Sequence, residues 1–391
     1  MRWLPRVLGV VGAIVAVTGL IGAAPSGAPY TIEAIVSLTG SSAFAGQIHA
    51  AALRMAENAA NATGGIRGQP VHFDIHDDQS SSVVAVQLMN QFLAAKPAVV
   101  MGSDYVAACA AEAPLIVNGP VEFCLSPGLT LRAHNVFASS ISIESIVPSE
   151  IKLLRDRGYT RIAVVATTDA SGQAANELVR AAMTRPENKN VTIVAFEQFN
   201  PTDISVSALM ARIKAGDPQG IILNGVTGSA FGTFLRNLND AGVNVPVIGS
   251  AANMNPSQLE QFTAFLPKEL IFNSTLLEAS DEVRDRNVRA AIDQLNATYR
   301  KAGIDPLPES PLSWDPAMIV IAALRALGPN ATGEQLGQYI SNLHDFASSS
   351  GVYDFRIGDH HGLTDSSIVF VKWVPAAKTF VAVTKPGGAP L

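Results

Sequence analysis

His72, Asp74 and His76 alternate along one candidate strand, so two imidazoles and a carboxylate share a face. Their types suit a metal, but nothing supplies the remaining ligands at suitable spacing, and an exposed sheet face is the simpler expectation. Asp77-Asp78 follows at the strand's end. Such a pair could do acid–base work, although turn formation and helix capping explain it more directly. Cys109 and Cys124 are the only cysteines. Without nearby histidines they make a poor metal site. In an oxidising compartment they can bridge, closing a loop of about 15 residues worth roughly 3 kcal/mol. The alternative is two buried thiols packed as small hydrophobes. His360-His361 lies in a polar turn and reads as solvated. No nucleophile elbow, phosphate loop or dinucleotide fingerprint occurs, so no catalytic residue, metal or cofactor is expected.

The elements around these residues alternate. Tyr30-Thr-Ile-Glu-Ala-Ile-Val36 reads as a strand, followed by the small polar loop 38–46 and a helix over 47–61. Gly64-Gly65-Ile66-Arg67-Gly68 stops that helix, and a second strand covers 70–75. A helix over 80–95, a strand at 98–101, a helix over 106–113 and a strand at 115–117 continue the series, with 118–124 as loop. The pattern restarts with a helix over 144–157 and strands at 161–166, 191–196, 220–223 and 245–249. Loops at 167–172, 224–228 and 250–254 follow three of these strands. This is an α/β fold with parallel sheets in two units, without a recognisable sequence repeat. Helices over 281–302, 314–327 and 333–343 come next. Antiparallel strands at 351–356, 367–374 and 379–384 have turns at Gly358-Asp359 and Pro375-Ala376. The tail 386–391 is expected to be disordered.

The chain has 391 residues, enough for two domains. A net charge of -6 argues against a nucleic-acid partner. Arg2 and Arg6 precede an uncharged apolar run, 7–21, and Gly22-Ala23-Ala24 supplies small residues for cleavage. This is the pattern of a secretory signal peptide over 1–24, cleaved near Ala24. The rival reading is an uncleaved anchor, for which the run is short. No cysteine sits near the cleavage site, so a lipoprotein is disfavoured. A soluble, exported, periplasmic protein is expected.

Leu38-Thr39-Gly40 with Phe44 and Gly46, then Gly64-Gly65-Ile66-Arg67-Gly68, then Asp77-Asp78, and finally Trp314-Asp315 before a helix occur in a telling order. In these residues the chain resembles the type I periplasmic binding proteins of ABC transporters, in the branched-chain amino acid (Leu/Ile/Val) branch. The resemblance implies two Rossmann-like lobes joined by three crossovers, near 139–142, 273–278 and 351–356. Lobe one would comprise 29–140 plus 277–351, and lobe two 141–276 plus 352–385. The lobes would close over a small ligand and deliver it to the transmembrane subunits of a permease, with the binding protein a monomer.

The fold implies a pocket built from loops at strand ends. Its candidates are Ser41, Ser42 and Phe44; Ser103, Asp104 and Tyr105; Asn118 and Phe123; Asp169 and Ser171; Asn224 and Thr227; Ser250 and Asn253; and Trp314 by family position. Helix N-termini there suit a ligand carboxylate. Phe123 and Trp314 could equally be core, and helix capping is the favoured role for Asp104 and Asp169. Amino-acid binders of the family usually carry an acid in the loop after the strand at 245–249. Here that loop is Ser250-Ala251-Ala252-Asn253, and positions often tyrosine are Ala45 and Ser171. A buried ammonium without an anion is costly. An aromatic or other organic acid lacking an α-ammonium is therefore the favoured ligand, unless Asp104, Asp169 or Glu122 supplies the anion for an amino acid. A sensory ectodomain and an exported α/β enzyme are the other function classes.

Overall fold

The computed structural model describes residues 25–126, 133–138, 141–358 and 360–391. The expected signal segment, the Ser139-Ser140 part of the first crossover and Asp359 of the expected turn lie outside the described residues. In chain order the first unit runs β1 (Tyr30–Val36), α1 (Ala43–Ala62), β2 (Val71–Asp77), α2 (Ser82–Ala94), β3 (Val99–Met101), α3 (Val106–Glu112), β4 (Val121–Cys124) and β5 (Val136–Ala138). The second runs α4 (Ile143–Asp156), β6 (Arg161–Thr167), α5 (Ala170–Met183), β7 (Thr192–Phe199), α6 (Ser207–Gly216), β8 (Gly220–Asn224), α7 (Gly228–Asp240), β9 (Val247–Gly249), α8 (Pro256–Gln261) and β10 (Leu270–Ser274). Then come α9 (Arg286–Lys301), α10 (Pro311–Leu327), α11 (Gly333–Ser341), β11 (Phe346–Ser348), β12 (Gly351–Tyr353), β13 (Val369–Val374) and β14 (Thr379–Ala382).

One sheet has the order β2-β1-β3-β4-β5 and is parallel throughout. The other runs β14-β13-β10-β9-β8-β6-β7, with β13 and β14 added antiparallel at one end. Within the second sheet, β7-β6-β8-β9-β10 repeats the order of the first. The two α/β units thus share a topology, and each has its switch point beside its first strand, where open α/β sheets form ligand crevices. The fold is α/β with parallel sheets in two lobes.

One glycine in each unit brings its first helix onto a strand end. A β-carbon on Gly46 of α1 would lie 2.0 Å from the Ser37 carbonyl oxygen, just past β1. One on Gly172 of α5 would lie 2.1 Å from the Thr167 carbonyl oxygen, at the end of β6. Only glycine permits that approach, which carries both helix N-termini to the carboxyl edges of their sheets.

Several expectations need correction. Leu115 and Val117, expected in a strand, are 37% and 47% exposed, the first within a 3₁₀ turn over Ala113–Ile116 and the second just after it. The strand is β4, expected as loop, and every residue of it is buried between β3 and β5. An isolated apolar triplet after Pro114 cannot compete with a strand hydrogen-bonded on both sides. The tail is also ordered: Thr384 bridges Pro390, and the amides of Gly387 and Gly388 donate to the Ile368 carbonyl.

Asp315, fully buried in α10, ties that helix to the β11–β12 hairpin. It accepts from the hydroxyls of Ser348 and Ser349 at 2.6 Å each, from the amides of Ser349 and Ser350, and from Tyr353 Oη at 3.1 Å. These donors make it a satisfied buried carboxyl, the condition under which burial of such a group is tolerated. Among the described residues, no helix is long and apolar enough to cross a membrane.

Candidate functional site

A cleft of about 550 Å³ opens between the carboxyl edges of the two sheets. The first unit contributes Ser41, Ser42 and Phe44 after β1, and Asp104 and Tyr105 after β3. The second contributes Asp169 and Ser171 after β6, Asn224 and Thr227 after β8, and Ser250 after β9. These expected residues come together. Apolar walls are supplied by Leu125, Ile141, Ile143, Ile146, Val147 and Leu312.

Five expected residues do not line it. Phe123 is buried in β4, packed in the core against Phe137 and Phe355 at 5.5 and 6.1 Å between ring centres. Trp314, 2% exposed, is core in α10. Asn118 sits in an exposed turn before β4. Ser103 is fully buried and donates to Asp78 Oδ2 at 2.6 Å. Asn253 is buried as a brace, donating to the Val226 carbonyl and accepting from the Gly228 amide. Phe123, Trp314, Ser103 and Asn253 satisfy packing or loop geometry first, and Asn118 lies on the exposed surface. Glu122, named above as a possible anion, is fully buried in β4 and also lies off the cleft.

Polar loops are held by the acids at the end of β2. Asp77 accepts from the Thr39 amide and hydroxyl. Asp78 accepts from the hydroxyls of Ser37 and Ser103 and from the Ser80 amide. The pair wires the loops after β1 and β3 together, so positioning, not acid–base work, accounts for it. Asp169 caps α5, accepting from the Gly172 amide and the Thr167 hydroxyl. Asp104 does not cap α3, whose N-cap is Tyr105. Its Oδ1 accepts from the Ser37 amide at 2.8 Å, while Oδ2, shielded from solvent, has no partner. Burial, with a contribution from the nearby Asp78 charge, raises its pKa to about 6.

Among the lining residues that sequence reasoning missed, three carry polar chemistry of note. His49, on α1, is buried with Nδ1 2.7 Å from Ser313 Oγ; burial lowers its pKa to about 4 and keeps the imidazole neutral. Glu309, in the segment before α10, is 8% exposed, and burial followed by the Asp104 charge pushes its pKa up to about 8. Ser274, at the end of β10, has a buried Oγ without a partner. The Nδ2 of buried Asn224 is likewise unpartnered. Helices α1 and α7 begin at the cleft without a side-chain cap. Nothing in the local pattern marks Glu309, in the segment between α9 and α10, or Ser274, where the chain crosses between units.

Other ligand-type clusters are elsewhere. His76 Nε2 lies 3.0 Å from Glu33 and 3.5 Å from Asp74, whereas His72 pairs with Glu57. The expected face of His72, Asp74 and His76 is thus divided between two neighbours. Cys109 and Cys124 are joined in a disulfide, with Cα atoms 5.9 Å apart.

The profile of the periplasmic binding protein family matches residues 29–378. A Leu/Ile/Val-binding protein homologue of Brucella melitensis is 25% identical over 299 residues, spanning 71% of this chain and 79% of its own. An extracellular ligand-binding receptor from Rhodopseudomonas palustris shares the fold with a TM-score of 0.78 at 18% identity, over 92% of this chain and 100% of its own. A branched-chain amino acid transporter substrate-binding protein from Streptococcus pneumoniae, in complex with isoleucine, gives 0.74 at 18% identity over 90% and 98%. An R. palustris ABC-transporter solute-binding protein in complex with benzoate gives 0.74 at 17% identity over 93% and 97%. With a profile match across almost all of its described length and the two-lobed architecture that positions this cleft, the chain belongs to the periplasmic binding protein family.

Proposed function

We propose that this protein is the extracytoplasmic solute-binding component of an ABC importer, closing two lobes over a small carboxylate-bearing ligand and delivering it to a membrane permease without chemical turnover. The carrying observation is the pair of orphaned donors in the cleft, Asn224 Nδ2 and Ser274 Oγ, beside the uncapped starts of α1 and α7. A buried donor without a partner costs roughly 1–3 kcal/mol, which a ligand oxygen removes on binding. Export after signal cleavage near Ala24, a periplasmic location and a monomeric state belong to the same reading.

The hinge would use three crossovers. Two fall near 139–142 and 273–278. The third is better placed at 363–368 than at 351–356, because Tyr353 bonds Asp315 and Phe355 packs on Phe137 of the first sheet. Closure about such crossovers is a hinge motion. The ligand pocket would use Ser41, Ser42, Phe44, Tyr105, Ser171, Thr227 and Ser250 as further contacts.

An organic acid without an ammonium group, such as a benzoate, is the reading favoured by the neutral Ser250-Ala251-Ala252-Asn253 loop. An amino-bearing acid is favoured by a more specific observation: the cleft lining contains Asp104, Asp169 and Glu309 and, among the described residues, no lysine or arginine. Thermal-shift titration with leucine, phenylalanine, benzoate and cinnamate tests the transport reading. Ligand at about 100 times Kd should stabilise by roughly 2.7 kcal/mol. Stabilisation accompanied by a smaller radius of gyration supports it; hydrolysis of an ester by the cleft would sink it.

A further inference from the structure

We infer that Asp104 and Glu309 form an amine-binding subsite on the first-lobe wall of the cleft, so that the transported solute carries a protonated amino group; this rests on the cleft being the solute site. The two carboxyls come from different parts of the chain, the loop after β3 and the segment before α10, and they are close enough to interact electrostatically. Neither is fully satisfied by the described residues. Among the described residues Asp104 Oδ2 has no partner, and the 8%-exposed Glu309 carboxyl is shifted by burial and the Asp104 charge alone, with no hydrogen bond contributing. The two carboxyls repel when both ionise, and among the described residues nothing cationic lines the cleft beside them. Asp78 and Glu112 lie behind Asp104, Asp169 lines the other wall, and the buried imidazole of His49 is neutral. Either carboxyl ionises here at little cost only with a cation beside it, because buried charges require partners. An ammonium has three donors to share between two carboxyls. The unpartnered Asn224 Nδ2 and Ser274 Oγ are then left for the ligand's own carboxylate. The site differs in kind from an acid in the loop after β9, which this chain lacks.

Proton linkage separates an amine from a bare acid. In the empty cleft burial holds Glu309 protonated at neutral pH, with a pKa of about 8. An entering ammonium favours the ionised form, so binding releases a proton and tightens as pH rises toward 8. A bare carboxylate needs the protonated form as a donor, so its binding takes up a proton and weakens with rising pH.

The experiment is calorimetric titration of the purified protein with two matched sets. One is leucine, 4-methylpentanoate and 3-methylbutylamine; the other is phenylalanine, 3-phenylpropanoate and 2-phenylethylamine. Each is run at pH 6 and pH 8 in buffers of different ionisation enthalpy. Amine-bearing members should bind at least tenfold more tightly than their deamino counterparts, release protons, and tighten at pH 8. Asp104→Asn and Glu309→Gln should each weaken them at least tenfold and abolish the proton release contributed by that carboxyl, with circular dichroism unchanged. Deamino acids binding as tightly or more tightly, with proton uptake, would overturn the amine subsite and leave the cleft as the solute site. Failure of all six to bind would overturn both readings.

Discussion

The backbone amide of Ser37 donates to Asp104 Oδ1 at 2.8 Å, leaving the other oxygen of that carboxyl without a partner. The carboxyl is thus fixed by the end of β1 yet uncompensated. Asn at position 104 keeps the acceptor and removes the charge. Asp104→Asn should therefore hold or raise stability at pH 8, by about 1–3 kcal/mol for a carboxyl raised to about 6, as read by urea unfolding. A lower midpoint than wild type at pH 8 would count against a frustrated carboxylate there.

Stability of the ligand-free protein should fall as pH rises from about 5 to 8. Burial raises Glu309 to about 8, Glu278 to about 7 and Asp104 to about 6. Burial also raises Glu112, Glu122 and Glu150. The folded state therefore holds more protons than the unfolded chain in that interval, and raising pH favours unfolding. On the acid side, His49, lowered to about 4, reverses the sign: the unfolded imidazole takes its proton first, so stability is lost as pH falls from its ordinary value toward 4. Melting temperature against pH should peak between the two arms, and Glu309→Gln should flatten the alkaline one.

Asp315→Asn keeps the shape but replaces one acceptor oxygen by a donor facing Ser350 N and Tyr353 Oη, or Ser348 and Ser349. A loss of about 3 kcal/mol is expected, since hydrogen bonds to a buried charged group are broken in either orientation. Chemical denaturation measures it, and Tyr353→Phe should lose less.

Gly46→Ala and Gly172→Ala each drive a methyl group into a backbone carbonyl, at 2.0 and 2.1 Å. Each should cost more than about 2 kcal/mol, because neither a helix nor a strand end can shift alone. A helix-interior glycine replaced without such contact would gain stability instead, so the sign of the change in thermal denaturation decides.

Removing the Cys109–Cys124 bridge by the double serine substitution deletes a cross-link across 15 residues of chain. Roughly 3 kcal/mol should be lost by the chain-entropy relation. The disulfide connects α3 to β4, and the Cys109 sulfur sits against the Ser103 carbonyl of the cleft loop, so ligand affinity should fall with stability. Reducing and non-reducing melts compare the two states.

Alternation of apolar and polar runs, interrupted by glycine and proline, determined the class of fold and the loops that meet at the cleft. Those features are local: a helix stripe, a strand and a turn are each encoded within a few residues. The cysteine pair was legible as a candidate bridge, but its closure needed α3 and β4 brought side by side. Side-chain direction was not legible. Phe123 and Asn118 belong to a segment whose strand is set by neighbouring strands, β3 and β5, so its register and its facing could not be read from Val121–Cys124 alone. Glu309 enters the cleft from the connection between α9 and α10 and Ser274 from the passage between units, and Asp315 finds its donors 33 to 38 residues away. The sequence by itself therefore determined a two-unit α/β protein with ligand loops at strand ends. Only the tertiary structure decided which acids are left unsatisfied there, because burial and the absence of a partner are properties of surroundings assembled from distant segments.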